Sequence, residues 1–219
     1  MENLDYENIK YLFEPRSLAV IGASRDKTKI GYAILHNIVT GEYKGKVYPV
    51  NVSGGQIDGM PVYKNILDIE GDVDMACITL PAHLVYDQIV SCAEKNVKNV
   101  ILITSGFSEV GNIAEEKKIV NFARSHGMWI LGPNVFGVYS SEVGLNATFV
   151  SGNIPSGHLA MITQSGALGL TLVGQASVEN IGLSAIVSVG NKADIDESDL
   201  LTYLGDHENT HIIFMYIEG

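Results

Sequence analysis

Positive charge, cysteine and long apolar runs are all scarce in this sequence, and each scarcity removes a class of function. Lysine and arginine number 14 against 25 aspartates and glutamates, for a net charge of −11 over 219 residues. Such a field repels polyanions, so neither a nucleic-acid partner nor an anionic membrane surface is expected. Any anionic ligand must be held by local N–H groups against that field. The two cysteines, Cys77 and Cys92, are too few for a disulfide framework, and each reads as a small buried residue in a reducing cytoplasm. No run approaches the roughly 18 apolar residues of a membrane span. The opening MENLDYENIK is acidic and lacks the apolar stretch of a signal peptide, so a cytoplasmic location is expected. His36, His83, His126, His158, His207 and His211 stand at no metal-ligand spacing, so no metal is expected. The 46% hydrophobic and 18% charged composition is that of a globular protein.

The chain is organised around one stretch, Met161-Ile-Thr-Gln-Ser-Gly-Ala-Leu-Gly169. Residues 159–162 are an apolar run suited to a buried strand. Thr163, Gln164, Ser165 and Gly166 are small or polar, and 167–176 are rich in Ala, Leu and Gly with helical spacing. This pattern predicts a strand, a tight turn and a helix whose N-terminus opens at Ser165. Such a turn presents unpaired N–H groups and the positive end of the helix dipole, for which an anion is the natural occupant. The blander reading is that Ser165 only caps the helix. A serine hydrolase is excluded, because the G-x-S-x-G pattern is absent.

Upstream, apolar runs predict strands at 17–21, 47–50, 75–80, 99–103 and 129–131. Helices are expected at 6–13, 29–39, 82–95 and 112–126, a helical turn at 65–69, and an irregular loop at 52–63. The alternation implies an α/β fold with a mostly parallel, doubly wound sheet, whose ligands lie at the carboxyl ends of the strands. Those ends carry Gly22-Ala23-Ser24, Asn51, Pro81, Ser105-Gly106 and Gly132-Pro133-Asn134. Residues 139–157 show no clear period and read as a crossover. A second unit then runs through a strand, the Ser165 turn, a helix, a strand at 184–189, a helix at 197–205 and a strand at 212–217. Its sheet of about three strands is thin for an independent core, so it reads as cut off. The expected domains are 1–134, a connecting 135–157, and 158–219.

A nicotinamide dinucleotide fits the first turn poorly. Gly22-Ala-Ser-Arg-Asp-Lys27 is not G-x-G-x-x-G, and Asn51 ends the second strand where a ribose-binding acid is needed. Another nucleotide with several phosphates and a long tail suits the same rim.

Eight segments, in order, carry a resemblance: SLAVIGAS at 17–24, VYPVN at 47–51, SGFSEVG at 105–111, GPNVFG at 132–137, LNATF at 145–149, MITQSGALG at 161–169, SVGNKAD at 188–194 and YIEG at 216–219. Together they resemble the nucleoside-diphosphate-forming acyl-CoA synthetases, relatives of the succinyl-CoA synthetase α subunit. The resemblance implies a Rossmann-like coenzyme A-binding domain followed by flavodoxin-like ligase domains. It implies the reaction acyl-CoA + ADP + phosphate ⇌ acid + ATP + CoA, through an acyl phosphate and a phosphohistidine. By the same resemblance Gly22, Ala23, Ser24 and Gly31 meet the phosphates of coenzyme A, with Asn51 near its nucleotide; Arg25, with Lys27 and Lys29, could add a charge there, the blander reading being a solvated loop. Pro81, Ser105, Gly106 and Phe107 lie along its pantetheine arm, and Asn134 stands at its thiol end. Ser165, Gly166 and Ala167 bind the transferred phosphate, and Glu218 orients the phosphohistidine ring.

Three departures stand out. Val135 replaces a frequent cysteine, Val52-Ser53 replaces a frequent Pro-Lys, and the family's active-site histidine falls after the position of Glu218. The ADP site, with its magnesium, is implied to reside in an ATP-grasp β subunit or domain, and the complete enzyme to be a hetero- or homo-oligomer. The competing readings are a stand-alone coenzyme A-binding or regulatory module and a nicotinamide-dependent oxidoreductase.

Overall fold

A computed structural model describes residues 6–150, 152 and 154–218. Residues 1–5 of the acidic opening and Gly219 at the end of the last motif lie outside the described residues. The first unit begins with α1 (Tyr6–Phe13), β1 (Ser17–Ile21), α2 (Ile30–Thr40) and β2 (Lys46–Val50). The hairpin of β3 (Gln56–Ile57) and β4 (Met60–Pro61) follows, then β5 (Met75–Ile78), α3 (Val85–Glu94), β6 (Asn99–Leu102), α4 (Ile113–Ser125) and β7 (Trp129–Leu131). The five long strands pair in the order β2-β1-β5-β6-β7, all parallel. β1, β5 and β6 are buried along their whole length. A parallel sheet covered on both faces requires such unbroken apolar runs. Strand order reverses beside β1, so the crevice between the carboxyl ends of β1 and β5 is the topological switch point of the sheet.

The loop expected at 52–63 contains β3 and β4, joined through Asp58 and Gly59 at φ 47° and 81°. Two left-handed residues in a two-residue connection are the geometry that twists a hairpin correctly, and Asp-Gly supplies it.

The second unit comprises β8 (Gly137–Ser140), β9 (Leu145–Thr148), β10 (Ser156–Thr163), α5 (Gly166–Glu179), β11 (Leu183–Ser188), α6 (Glu197–Asp206) and β12 (Ile212–Tyr216). Its sheet has five strands in the order β12-β10-β11-β8-β9. β12, β10 and β11 run parallel, while β8 is antiparallel to β11 and to β9. This corrects the reading of 135–157 as a bare connection, because that stretch supplies a hairpin to the second sheet. The hairpin is fixed by packing: Ile34, Leu35 and Ile38 of α2 share a core cluster with Leu145 and Ala147 of β9. The same cluster contains Val20, Cys77 and Ile101 of the first sheet and Val138, Ile162 and Val187 of the second. The two sheets are therefore sealed through one core. Phe13 of α1 stacks on Tyr203 of α6 at 4.6 Å and 3°, and the Tyr203 hydroxyl donates to Glu14 at 2.7 Å. Cys77 and Cys92 are buried free thiols, pushed up to about 12 by desolvation.

Candidate functional site

The first turn is built by contact between backbones. Gly22 has φ +95°, and a Cβ there would lie 2.5 Å from Thr79 Oγ1. A Cβ on Gly31 would lie 2.1 Å from the Gly22 carbonyl oxygen. Only glycine allows α2 to sit this close to the end of β1. Asn51 braces the turn from β2: its Nδ2 donates to Ala23 O at 2.8 Å, and its Oδ1 accepts from Ser53 N at 2.9 Å and Ser53 Oγ at 2.8 Å. Ser24 Oγ accepts from Asp26 N at 3.0 Å. The N–H and hydroxyl of Thr28 hold the Asp26 carboxyl below its usual range. Arg25 Nε donates to Gln56 O at 2.8 Å, and its terminal nitrogens reach Gly54 O and Ser53 Oγ. Its guanidinium thus pins the β3–β4 hairpin to the first turn. Ala23 is fully buried, its N–H donates to Val50 O at 3.2 Å and its carbonyl accepts from Asn51, so the expectation that it meets a ligand has no free group to act through.

The remaining strand ends join this rim. Thr79 N donates to Ile21 O at 2.9 Å, Thr104 Oγ1 to Leu80 O at 2.6 Å, and Asn134 N to Thr104 O at 3.0 Å. Pro81 is exposed and opens the short 3-10 turn Ala82–Leu84, while Ser105 and Asn134 are also exposed. Gly106 and Phe107 are different. Both of their N–H groups donate to the carboxylate of Glu109. Burial pushes that carboxyl up, but the Gly106 N–H and the Asn191 amide outweigh it and hold it below the usual range. Phe107 also has its ring in the core and its carbonyl bonded to Val110 and Asn112. The expectation that Phe107 contacts a ligand therefore has no free group to act through, and the residue serves packing.

The second turn is capped. Ser165 Oγ accepts from Leu168 N at 3.4 Å, and Thr163 Oγ1 donates to Ser165 O at 3.0 Å. Gly166 and Ala167 are exposed at the start of α5, where helical N–H groups lack partners within the helix. A Cβ on Gly166 would meet nothing within 4 Å, so the space beside it is open. Gly169, by contrast, sits where a Cβ would be 2.5 Å from the Phe136 ring, which seats the helix tightly. Parallel pairing sets Tyr216 beside Thr163. Gln164 N then donates to Tyr216 O at 2.9 Å, and Glu218 N donates to Gln164 Oε1 at 3.0 Å. Glu218 is thereby brought to the Ser165 turn from 53 residues downstream, and Gln164 is the intermediary that the sequence did not reveal.

The second turn is tied to the end of β7. Val189 N donates to Thr163 O at 2.9 Å, and Asn191 N donates to Pro133 O at 3.0 Å. Gly190 packs so closely that a Cβ would lie 2.2 Å from Pro133 O. Asp194, whose side chain is fully buried, accepts from Ile130 N at 2.8 Å and pairs with Arg124. Burial raises its carboxyl above the usual range despite those two donors.

The histidines are engaged elsewhere. His36 stacks on Tyr32, His126 on Phe122, His158 on His211 and His207 on Tyr203, while His83 is exposed in the Ala82–Leu84 turn. Among the described residues no group of three or more His, Cys, Asp or Glu is placed to hold a metal, and no helix is long and apolar enough to cross a membrane. Hollows of about 540 and 890 Å³ are lined by residues such as Glu42, Ser141 and Gly144 and by none of the rim residues.

Two family models match successive parts of the chain, the first extending through β8. Residues 16–141 match the CoA binding domain model, and residues 156–219 match that of the succinyl-CoA ligase like flavodoxin domain. The chain is 50% identical, over 97% of its length, to the acetate–CoA ligase (ADP-forming) I subunit alpha of Pyrococcus furiosus, and covers 47% of that protein. It is 45% identical, over 98% of its length, to an acetate–CoA ligase (ADP-forming) of Methanocaldococcus jannaschii, covering 30% of it. Among solved structures, acetyl-coenzyme A synthetase 1 of Ca. Korarchaeum cryptofilum, in complex with phosphate and ADP, superimposes with a TM-score of 0.94. That match has 46% identity and covers 96% of this chain and 46% of the other. The chain thus spans about half or less of the length of these relatives.

Proposed function

We propose a function from one premise: this chain belongs to the CoA binding domain family through residues 16–141 and continues at 156–219 as a succinyl-CoA ligase like flavodoxin domain. The function is to bind coenzyme A and the transferred phosphate within an ADP-forming acyl-CoA synthetase of the acetyl-CoA type. The reaction is acyl-CoA + ADP + phosphate ⇌ acid + ATP + CoA. Coenzyme A would supply the thiol that carries the acyl group.

Ser24 offers its backbone N–H to the phosphates, whereas the N–H groups of Gly22 and Ala23 are bonded to Val50 O and shape the turn, and Gly22 and Gly31 keep side chains out of the crevice between β1 and β5. Arg25 shapes this site by holding the hairpin, and Asn51 by bracing Ala23. Pro81, Ser105, Gly106 and Asn134 border the path of the arm. Gly166 and Ala167 present N–H groups to phosphate, with Ser165 as cap. Glu218 is a carboxylate placed to orient an imidazole. ADP and magnesium are assigned to an ATP-grasp domain or subunit, within a cytoplasmic, oligomeric enzyme. We place the functional division near Asn134.

The observation that carries this reading is the meeting of Ser165 and Glu218 through Gln164, joined by residues 189–191 to the rim at Asn134. The test is ATP formation from acetyl-CoA, ADP and phosphate. The chain alone is expected to form none, because it spans 47% of the Pyrococcus furiosus relative and its own histidines are engaged elsewhere, and lack of the nucleophile removes orders of magnitude in rate. Supplying an ATP-grasp partner, and extending the chain with a relative's residues beyond this point, is expected to give turnover. ATP from the chain alone, or none from the completed assembly, contradicts the proposal.

A further inference from the structure

One side chain of the second unit reaches into the first and lies beside none of the groups expected to touch phosphate. Asn191 Nδ2 lies 2.6 Å from Glu109 Oε2, 2.9 Å from Glu116 Oε2 and 3.0 Å from Ser108 Oγ. Its Oδ1 accepts from Asn134 Nδ2 at 3.4 Å. Two carboxylates thus converge on one amide, in a chain that already carries a net charge of −11. Ser108 also donates to Glu116 through its N–H at 3.2 Å and its hydroxyl at 2.8 Å, and Asn191 Nδ2 is the donor that bridges both carboxylates, which would otherwise face each other as like charges. Glu109 is also the group that fills the N–H pair of Gly106 and Phe107. The turn at the end of β6 therefore holds its shape through a carboxylate that Asn191 anchors from the other unit. Asn191 cannot drift, because Gly190 is packed against Pro133 O and the Asn191 N–H is bonded to it.

We infer that Asn191 is a positioning residue for the coenzyme A rim: it fixes Glu109 on the Gly106–Phe107 turn and so sets that turn for the ligand arm. The inference rests on reading this rim as the coenzyme A site. It also gives the second unit a direct hold on the first unit's ligand turn, since the strand entering residues 189–191 is bonded to Thr163 beside Ser165.

The test uses the 219-residue chain with Asn191→Asp, nearly isosteric but without the donor, and with Asn191→Ala. Two quantities are read: amide hydrogen exchange at Gly106 and Phe107, and the Kd for coenzyme A by calorimetry. Both variants are expected to raise exchange at these two amides and to weaken coenzyme A about tenfold, the worth of one charge-assisted hydrogen bond. Adding Glu109→Gln to Asn191→Asp removes a like charge and restores a donor, so it is expected to recover part of the affinity. A residue that only stabilised the fold would show no such recovery. Wild-type exchange and Kd in either folded variant would overturn the inference, as would faster exchange with unchanged Kd. A wild-type chain that binds no coenzyme A would instead sink the reading of the rim, and the exchange rates alone would then decide the role of Asn191.

Discussion

The Gly22 turn and the Ser165 turn both lead from a parallel strand into a helix, yet they are held in opposite ways. The first spends residues 22–29 before α2 begins, and Lys29 at its N-cap makes no side-chain capping bond. It is held by exclusion, since glycine at 22 and 31 lets backbone lie on backbone. The second passes through Gln164 and Ser165 alone, is capped by a hydroxyl, and leaves open space in front of Gly166. The contrast teaches that a strand-to-helix turn can be specified by what must be absent or by what must be present.

The largest effect that separates the two is steric. Gly31→Ala places a methyl 2.1 Å from Gly22 O, where only backbone can yield. A loss of about 3 kcal/mol in urea unfolding is expected, typical of overpacking at a site that cannot relax. Gly166→Ala meets nothing within 4 Å and is expected to stay within about 1 kcal/mol of wild type. Equal melting of the two variants would erase the distinction between the turns.

Next in size is the cap. Ser165→Ala removes the acceptor for Leu168 N and is expected to cost between a few tenths and about 2 kcal/mol in stability. If the turn serves phosphate, crystals soaked in sulfate will show an anion at the N–H groups of residues 165–167. A side chain occupying that space would show the cap to be purely structural.

The smallest effect distinguishes a carboxylate inside the first unit from one at the junction. Asp74 is pushed up by burial, but Arg16 holds it below the ordinary value of 3.8 through its side chain and its N–H. A lowered folded pKa stabilises above the unfolded value, and that contribution is lost as pH falls through the folded pKa. Asp194 is raised by burial despite Ile130 N–H and Arg124. A raised folded pKa gives a contribution that is full below the unfolded value and lost as pH rises through the folded pKa. Relative to its Asp→Asn variant, wild type should therefore gain stability with rising pH at position 74 and lose it at position 194. Urea midpoints from pH 3 to 7 check both signs, and parallel slopes would refute the contrast.

The first sheet was legible because its strands are short, mostly apolar runs, as at 18–21, which Gly22 ends, and at 100–103, which the Ser105-Gly106 turn follows. The β8–β9 hairpin was not, because Gly137, Ser140, Asn146 and Thr148 interrupt any period and the strands exist by packing on α2. Asp58-Gly59 was a readable turn signal, hidden by strands of only two residues. Within the site, the strand-end glycines and the Ser165 cap could be read locally. The approach of Glu218 rested on the family resemblance, since it depends on the register of β12 against β10. The bond from Asn191 to Glu109 spans 82 residues and left no local trace.

The Gly22 rim is proposed to take coenzyme A and not a nicotinamide dinucleotide. Titration calorimetry of this chain with both ligands tests it directly. The account predicts tighter binding of coenzyme A, weakened by Ser24→Glu, which sets a carboxylate against phosphate oxygens. Tighter binding of NAD, or a coenzyme A affinity indifferent to Ser24→Glu, would contradict it.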